Sequence, residues 1–526
     1  MCLLLSTFSF GQHHEKRTRL GAFRLLTNPP TVEGLFIMWS MLKNYAPHQT
    51  ELEMVTLEDL VPAEHLVRKI ETAIDFEFIR DKVRHLYCPN NGRPAIDPVM
   101  LFKMILLGYL FGVRSERQLM REIQVNTAYR WFLRLRLTDK VPDASTISQN
   151  RRRRFSDSSV YQDIFDEIVV QAMNKGLIDG HALYTDSTHL KANANKNKFE
   201  PIQVQQSTAD YLAELDKAVD AERAERGKKP LKRDDDDTPE TRTIKQSTTD
   251  PDSGYMVRDE KPKGFFYLDH RTVDGKHAII LDTHATAGNV ADSSPYLSRL
   301  DRVLQRFGLK PWWVGLDAGY YTAPICHGIE QRGIKAVMGY RRPSHKEGYF
   351  YKRQYIYDTI ADTYTCPEGQ VIQYANTNRL GYREYRSDKT QCQACPHRTQ
   401  CTHSANSTKV VTRHIWRDAQ DRVNARRLTD IGKRVYARRK ETVERSFADA
   451  KQLHGHRYAR MRGIAKVAEQ CLMAATAQNI KKMALLLARF YVLYTRYTER
   501  LIGLRIQLLV LAQVPRIIEQ RLHFNF

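Results

Sequence analysis

The stretch Gly264-Phe-Phe-Tyr-Leu-Asp-His-Arg-Thr-Val-Asp-Gly-Lys-His-Ala-Ile-Ile-Leu-Asp-Thr-His-Ala-Thr286 decides the fold of this 526-residue chain. Two runs rich in aromatic and β-branched residues flank the dipeptide Asp274-Gly275, which favours a tight hairpin turn. The stretch therefore predicts two antiparallel strands, around which the neighbouring segments can be arranged.

Segments on both sides of this hairpin extend it into a mixed sheet. Ala182 to Asp186 forms a short apolar strand before it. The segments after it alternate between helix and strand. They are helix 293–307, strand 312–317, helix 323–332 and strand 334–339. Three strands followed by helix, strand, helix, strand and helix is the order of an RNase H-like fold, a mixed sheet with helices on its faces.

The whole chain is too long for one hydrophobic core and is predicted to be an α+β multidomain protein. Residues 41–180 have apolar residues at helical spacing and predict a helical domain that binds DNA. Residues 181–485 form the RNase H-like domain, with insertions at 197–262 and 341–415, and residues 486–526 form a helical tail. Residues 1–40 show no clear hydrophobic periodicity. We interpret them as a disordered extension or as the result of a start codon assigned too early.

The charge of the chain favours a polyanionic partner. The formal net charge is +22 and the sequence pI is near 9.5, which favours nucleic acid or an anionic membrane surface. The longest apolar runs are too short and too charged to cross a membrane, and no basic residue precedes the apolar start. Eight cysteines in this length do not form a disulfide scaffold, so we expect a cytoplasmic protein without a membrane partner.

A basic helix in the amino-terminal region is a second sign of DNA binding. Pro142 to Phe155 predicts a capped helix that ends in four consecutive arginines, Arg151, Arg152, Arg153 and Arg154. A helix with a basic end fits a DNA-docking unit, and the alternative is a helical bundle with a solvated basic face. The acidic run at 234–237 is interpreted as a solvated loop.

Three acidic residues stand where a metal-dependent site is expected. Asp186 and Asp317 each end an apolar run, and Glu444 lies in a helical segment. Acids at the carboxyl ends of strands lie at the rim of a sheet, where ligands bind in open α/β folds. Carboxylate oxygens suit Mg²⁺, and a pair of ions can clamp the attacking and leaving oxygens of a phosphodiester. The alternative for Asp317 alone is a cap on the following helix.

Glu441 competes with Glu444 for the third position. Glu444 and Lys451 are seven residues apart and return to nearly the same helix face, whereas Glu441 and Lys451 diverge by about 80°. A cation beside the acid helps to hold a DNA strand. We therefore favour Glu444.

Three pieces of the chain resemble the DDE transposases of bacterial insertion sequences, which share the RNase H-like fold. They are Pro142 to Ser148, Asp186 to Lys196, and Tyr436 to Lys451, and the resemblance covers residues 41 to about 485. It implies that Asp186, Asp317 and Glu444 hold two Mg²⁺ ions, replaceable by Mn²⁺, and that Lys451, Tyr436 and Arg439 contact DNA. The chain departs in one respect, since Arg439 lies five residues before Glu444, one more than is usual.

A cysteine cluster lies inside the second insertion. Cys392 and Cys395 have the two-residue spacing of a zinc knuckle, and Cys366 and Cys401 supply two further thiolates. His397 and His403 are alternative ligands. Some insertion-sequence transposases resemble this chain in carrying such an insert, so a structural Zn²⁺ is expected, and the alternatives are free thiols or a disulfide.

The sequence thus predicts a transposase that binds the terminal repeats of its element, nicks the element ends and joins the freed 3′-hydroxyl to target DNA. A homodimer is expected in the complex with double-stranded DNA. The alternatives are a nuclease of the same fold and a DNA-binding repressor whose catalytic domain has decayed. Three intact acids argue against decay.

Overall fold

A computed structural model describes residues 52–88, 95–156, 158–205, 211–231, 241–257, 263–340, 342 and 345–522. The predicted amino-terminal extension 1–40 and the acidic run 234–237 lie outside the described residues, so their interpretations stay predictions. The described residues from Thr56 onward form one compact unit.

The amino-terminal region is helical, as its apolar spacing predicts. Its helices are α1 (Leu57–Leu60), α2 (Leu66–Ala73), α3 (Phe78–Val83), α4 (Pro98–Leu110), α5 (Glu116–Val125), α6 (Thr127–Phe132), α7 (Ala144–Arg153) and α8 (Val160–Asn174). Asp97 caps α4 and Pro98 opens it, a combination that starts a helix without an unsatisfied N–H. Nearly every residue of α4 is buried, so it forms the centre of the helical bundle.

The central sheet contains β1 (Ala182–Lys191), β2 (Phe199–Gln205), β3 (Thr241–Ser247), β4 (Gly254–Met256), β5 (Gly264–Asp274), β6 (Ile280–Ala287), β7 (Trp313–Leu316) and β8 (Lys335–Met338). Its order is β2-β3-β4-β5-β1-β7-β8, with β6 also paired to β5. β5 runs antiparallel to β1 and β6, whereas β7 and β8 run parallel to β1. The predicted hairpin and the mixed sheet are confirmed.

Three helices of this region lie where the sequence predicts them. α9 (Leu212–Glu225) lies within the first insertion, and α10 (Tyr296–Phe307) and α11 (Ala323–Gln331) alternate with β7 and β8. The α+β class is therefore confirmed.

Strand β1 is longer than its sequence predicts. The apolar run ends at Asp186, but β1 continues to Lys191 because β5 goes on pairing with it, from Ser187 opposite His270 to Lys191 opposite Phe266. Asp186 thus lies inside β1, at the level where its parallel neighbour β7 ends. The prediction of a strand end at Asp186 is wrong, although Asp317 does follow the last residue of β7.

The first insertion contributes strands that the sequence does not reveal. We predict one helix and a polar stretch between 197 and 262, and the helix is α9. The insertion also forms β2, β3 and β4, which extend the central sheet at one edge. Ile202 faces Ile244 within this edge, but the polar residues around them conceal the strand pattern.

The second insertion forms a sheet of its own. Its strands are β9 (Ile356–Asp358), β10 (Thr363–Thr365), β11 (Val371–Thr377), β12 (Tyr382–Arg386) and β13 (Val410–His414), in the order β13-β12-β11-β10-β9. The short helices α12 (Lys389–Gln393) and α13 (Arg398–Cys401) connect β12 to β13. Tyr355, Tyr364, Ile372, Tyr385 and Val411 form its core, so large aromatic rings replace the aliphatic core of the central sheet.

The carboxy-terminal segment is helical. It comprises α14 (Arg417–Leu428), α15 (Asp430–Ala437), α16 (Val443–Leu453) and the long α17 (Ile464–Leu522). The first turns of α17 are buried from Val467 to Ala484, in agreement with the apolar helix predicted there. Among the described helices, none combines the length and the apolar character that a membrane crossing requires.

Candidate active site

Strand pairing brings Asp186 and Asp317 together. Thr185 on β1 lies opposite Leu316 on β7 in the parallel register, so the two aspartates are the next residues along neighbouring strands. The Asp317 carboxylate accepts a hydrogen bond from the Ala318 N–H at 2.6 Å and caps the 3₁₀ turn Ala318–Tyr320. Asp317 therefore caps this turn, as the alternative prediction has it, and it also lies next to Asp186.

Glu444 reaches the same place from α16. It lies in the first turn of that helix, which packs against β1 and β5. The preceding chain is not continuous helix, because the 3₁₀ turn Arg438–Lys440 and a non-helical Thr442 separate α15 from α16. Glu441 lies in this break and is exposed, so the helical angle used to compare it with Lys451 does not apply.

Arg439 lies among the three carboxylates. Its guanidinium donates to the Asp186 carboxylate at 2.7 Å and lies 3.8 Å from carboxylate oxygens of both Asp317 and Glu444. The Arg439 side chain is 5% exposed, whereas those of Asp317 and Glu444 are 53% and 47% exposed. The break before α16 allows the guanidinium to reach the acids in spite of the additional residue between Arg439 and Glu444.

The charges of this group, which we call the carboxylate site, do not balance. Three acids share one arginine, and the Nε of Arg439 is buried without a hydrogen-bond partner among the described residues. Burial raises the pKa of Asp186 to about 6, with Asp317 and Asp292 adding to the rise, while Arg439 and the Ser187 N–H act against it. Oxygen donors with surplus negative charge fit a hard divalent cation.

The other residues implied by the resemblance lie around this site. The Tyr436 hydroxyl accepts a hydrogen bond from Arg439 at 3.3 Å. A Cβ on Gly339 would lie 2.8 Å from that hydroxyl, so the end of β8 packs closely against Tyr436. Lys451 is half-buried in the last turn of α16, about 10 Å along the axis from Glu444 at the usual rise per residue.

One neighbour of the site was not predicted. Asp292 accepts a hydrogen bond at 2.7 Å from the hydroxyl of Ser187, the residue after Asp186. It lies in the loop between β6 and α10, where the sequence has no periodic pattern. Its proximity depends on the pairing of β5 with both β1 and β6, which the spacing of residues does not reveal.

A second acidic group, which we call the closed cluster, lies on the adjacent strand β5. Asp269 accepts hydrogen bonds from Arg271 at 2.8 Å, His456 at 2.9 Å and Thr283 at 2.5 Å. Asp269, His456 and Cys471 are the group of potential metal ligands, among the described residues, whose ligand atoms lie within 4.8 Å of one another.

The closed cluster is nevertheless balanced without a metal. Burial opposes ionisation, but Arg271 and His456 hold the pKa of Asp269 below its usual value. Both of its carboxylate oxygens accept hydrogen bonds, and an arginine charge lies beside them. We interpret it as a buried ion-pair network that joins β5 to the carboxy-terminal helices.

The arginine run divides into internal and external members. The Arg151 guanidinium donates to Glu469 at 2.6 Å and to Glu116 at 2.5 Å, and Arg154 lies over the ring of Tyr87. Arg152 and Arg153 are exposed. A DNA contact by Arg151 would require its two internal ion pairs to break.

The exposed Arg152 borders a basic groove. This groove is a cavity of about 1040 Å³ between α5, α7 and the segment that follows α16. We define the basic groove by its cations Arg114, Arg117, Arg121, Lys140, Arg152 and Lys466. The acids on its lining are Glu116, already paired with Arg151, and Asp143, which caps α7.

The four cysteines of the second insertion surround one small cavity. Cys366, Cys392, Cys395 and Cys401 line a cavity of about 30 Å³, and all are free thiols. The alternative ligands His397 and His403 are not among its lining residues; His397 pairs with Glu368 and His403 packs against Tyr349. The described residues that line this cavity thus offer thiols as metal ligands, with Glu368 beside them.

Comparison with known protein families matches two separate ranges of the chain. Residues 55–153 match the transposase domain family DUF772, which covers α1 to α7. Residues 365–484 match a transposase DDE domain family, which includes Glu444, Lys451 and the four cysteines. Asp186 and Asp317 lie between the two matched ranges. No curated protein and no solved structure matches the chain.

The two families agree with the geometry of the site and with the charge of the chain. A helical transposase domain precedes a DDE domain, in the order that the sequence predicts. The chain is therefore an insertion-sequence DDE transposase, an enzyme that cleaves DNA strands and joins them to new positions.

Proposed function

We propose that Asp186, Asp317 and Glu444 are the catalytic acids and that together they hold two Mg²⁺ ions. The observation that carries this proposal is the convergence of three acids from separate segments on the Arg439 guanidinium. A surplus of negative charge, half-exposed on one side, is what a pair of hard cations requires. Mn²⁺ should replace Mg²⁺, since both prefer oxygen ligands.

We propose an RNase H-like arrangement for the catalytic domain. The support is the strand order β6-β5-β1-β7-β8 with β5 alone antiparallel to its neighbours within that set. The catalytic domain would span residues 181–485, preceded by the DNA-binding domain at 41–180 and followed by the tail at 486–526. The two insertions would leave this core unchanged because they attach at its edge and after β8.

The residues of the site would have different roles in strand cleavage and joining. Bound Mg²⁺ would supply activation of the attacking water or 3′-hydroxyl and stabilisation of the leaving oxygen. The three carboxylates would fix the position of the ions. Arg439, already positioned by Tyr436, and Lys451 would contact the DNA strand through its phosphates. Hydrolysis would free a 3′-hydroxyl, which would then attack target DNA in the same site.

We propose that the basic groove receives the terminal repeats of the element. Its cations lie on α5 and α7, in the loops that precede these two helices and at the start of α17, and they face a cavity with little competing acid. Phosphate contacts of this kind position a duplex without reading its sequence. A homodimer would serve the two ends of the element with two carboxylate sites. We expect it to work in the cytoplasm, where the DNA of a bacterial cell lies.

We also propose a structural Zn²⁺ held by Cys366, Cys392, Cys395 and Cys401. The support is their position around one small cavity, where the thiols would turn inward to form a tetrahedral set. The reduced, purified protein should contain close to one Zn²⁺ per chain. The double variant Cys392→Ser with Cys395→Ser should lose the ion and melt at a lower temperature. A freshly purified protein without zinc would contradict this assignment.

Strand transfer by the purified protein is the test of the proposed function. The protein is incubated with a DNA fragment that carries its own flanking genomic sequence, a supercoiled target plasmid and Mg²⁺. We expect nicks at the element ends and joined products, both abolished by EDTA. Nicking without joined products would assign the site to hydrolysis alone, and Mg²⁺-independent products would overturn the metal proposal.

A further inference from the structure

A pocket of about 680 Å³ lies at the start of the second insertion. Aromatic and basic side chains line it, and we call it the tyrosine pocket, defined by Tyr340, Tyr349, Tyr351, Lys352, Arg353 and Lys409. Its volume falls within the range of about 300 to 1,000 Å³ that is usual for small-ligand sites. None of the described residues that line it is acidic.

Two aromatic side chains of this pocket are nearly half exposed to solvent. Tyr340 and Tyr351 are each 45% exposed. The exposed His345 ring stacks on Tyr351 with centroids 3.6 Å apart and planes within 10°, and the Arg353 guanidinium lies 4.7 Å from the same ring. A flat aromatic partner can therefore extend an existing stack.

The cations of the pocket are anchored beside these rings. The Lys352 ammonium donates to the Thr412 carbonyl at 2.5 Å, and the Lys409 ammonium donates to the Cys401 carbonyl at 2.7 Å. Each ammonium retains further N–H donors for an anion. Rings and ammonium groups side by side match a base and its phosphate.

One ring contact and one backbone contact connect the pocket to the carboxylate site. Tyr340 packs edge-on against Tyr321 with ring centroids 6.0 Å apart, and Tyr321 lies four residues after Asp317. Tyr340 also follows Gly339, whose backbone packs against Tyr436 and Ala318. The pocket therefore begins next to the elements that carry the catalytic acids.

We propose that the tyrosine pocket binds an unpaired nucleotide of the DNA substrate next to the bond that is cut. A base within a duplex has both faces covered by its neighbours, so only an unstacked base can lie on these rings. Duplex backbone would use the ammonium groups alone and leave the tyrosines without a role. This inference rests on the proposed DNA strand chemistry and adds the position of one nucleotide to it.

Binding in the absence of divalent metal tests this proposal separately from catalysis. Full-length protein in EDTA is titrated into two fluorescent duplexes from the element end, one blunt and one with a three-nucleotide single-stranded extension. We expect the extension to tighten binding about tenfold, as stacking of a base on an aromatic side chain usually does. Tyr351→Ala should remove this gain, and Tyr351→Phe, which keeps the ring, should preserve it.

A base analogue and a matched surface variant make the outcome specific. 2-Aminopurine placed in the extension should be quenched by the wild-type protein and by Tyr351→Phe, but not by Tyr351→Ala. Tyr382→Ala, another exposed tyrosine of the same insertion, should behave as the wild type. Equal binding of both duplexes, or an unchanged gain in Tyr351→Ala, would overturn the proposal. Because cleavage is not measured, inactive catalytic variants remain informative in this assay.

Discussion

The carboxylate site and the closed cluster both combine aspartate with arginine, and they lie on the adjacent strands β1 and β5. Asp186 is directly opposite Arg271 in the antiparallel register, so the two groups lie on the same face of the sheet. They differ in exposure and in charge balance. Asp317 is 53% exposed and shares Arg439 with two other acids, whereas Asp269 is fully buried and has Arg271 within 2.8 Å.

This difference separates a site for chemistry from a structural one. A buried ion pair is tolerable when each charge has its partner and its hydrogen bonds. In the closed cluster the Asp269 carboxylate has an arginine partner and a hydrogen bond on each oxygen, so this acid does not need a metal. Three acids around one arginine do not meet that condition, and the divalent cations that we propose would relieve their mutual repulsion. The same residue types therefore give opposite properties, depending on their ratio and on access to water.

The largest expected effect is loss of activity without loss of stability at the carboxylate site. Asp186→Asn, Asp317→Asn and Glu444→Gln should each lower DNA cleavage by about a hundredfold to a thousandfold, the order seen when one electrostatic group is removed from an active site. Their melting temperatures should stay near that of the wild type, because each change also removes repulsion between acids. DNA-end binding, measured by gel shift, should persist.

Glu441→Gln is the matched control for these variants. Glu441 is exposed and pairs with Arg438 at 3.1 Å, outside the carboxylate site. We expect it to retain most of the cleavage activity. An inactive Glu441→Gln beside an active Glu444→Gln would move the third acid to the break before α16.

The closed cluster should respond in the opposite way. Asp269→Asn leaves the buried Arg271 charge without its partner, which typically costs about 3 to 5 kcal/mol. Urea unfolding should therefore show a clear loss of stability, while cleavage by the folded fraction persists at low temperature. The double variant Asp269→Leu with Arg271→Met should recover much of the loss, since no buried charge remains. A stable Asp269→Asn would show that the cluster is not a structural ion pair.

The sequence predicts the carboxylate site better than the closed cluster. Asp186, Asp317 and Glu444 each interrupt an apolar or helical pattern, and a resemblance to a known family orders them. Asp269 and Arg271 lie inside a strand whose every residue is buried, so no alternation distinguishes them from core residues. His456 joins them from a turn after α16, a contact that only the tertiary structure creates.

The remaining errors of prediction have similar physical causes. The apolar run around Asp186 ends before the strand does, because pairing with β5 rather than burial extends β1. The strands β2 and β3 have polar surfaces at the sheet edge and show little pattern. The break between Arg439 and Glu444 depends on the local backbone at Thr442, which explains how an irregular spacing still brings both residues to the site.

The buried interior around the closed cluster should also make stability depend on pH. Burial lowers the pKa of His454 to about 4, and the pKa of His456 is lowered as well by burial. In the unfolded chain these histidines have a pKa near 6.5. Below that pH the unfolded chain binds protons that the two histidines do not bind in the folded chain. The stabilisation is thus present above about pH 6.5 and is lost as pH falls.

The His454 contribution can be isolated by substitution. The shift to about 4 corresponds to a loss on the order of 2 kcal/mol between pH 7 and pH 5. His454→Asn keeps a donor for the Tyr109 carbonyl, which accepts a hydrogen bond from the His454 ring at 2.8 Å. Its urea midpoint should fall less steeply over this pH range than that of the wild type. An identical slope would mean that the ring is protonated in the folded protein.

The smallest expected effect is a thermal shift by Mg²⁺ at the carboxylate site. A ligand that binds only the folded state stabilises it by RT ln(1 + [L]/Kd), so 10 mM Mg²⁺ with a Kd near 1 mM contributes about 1.4 kcal/mol. For a chain of this size we expect the melting temperature to rise by about 1 to 3 °C. Asp186→Asn and Glu444→Gln should lose this rise, whereas Asp269→Asn should retain it from its lower starting temperature. An equal shift in all four proteins would place the ion outside the carboxylate site and remove the distinction between the two clusters.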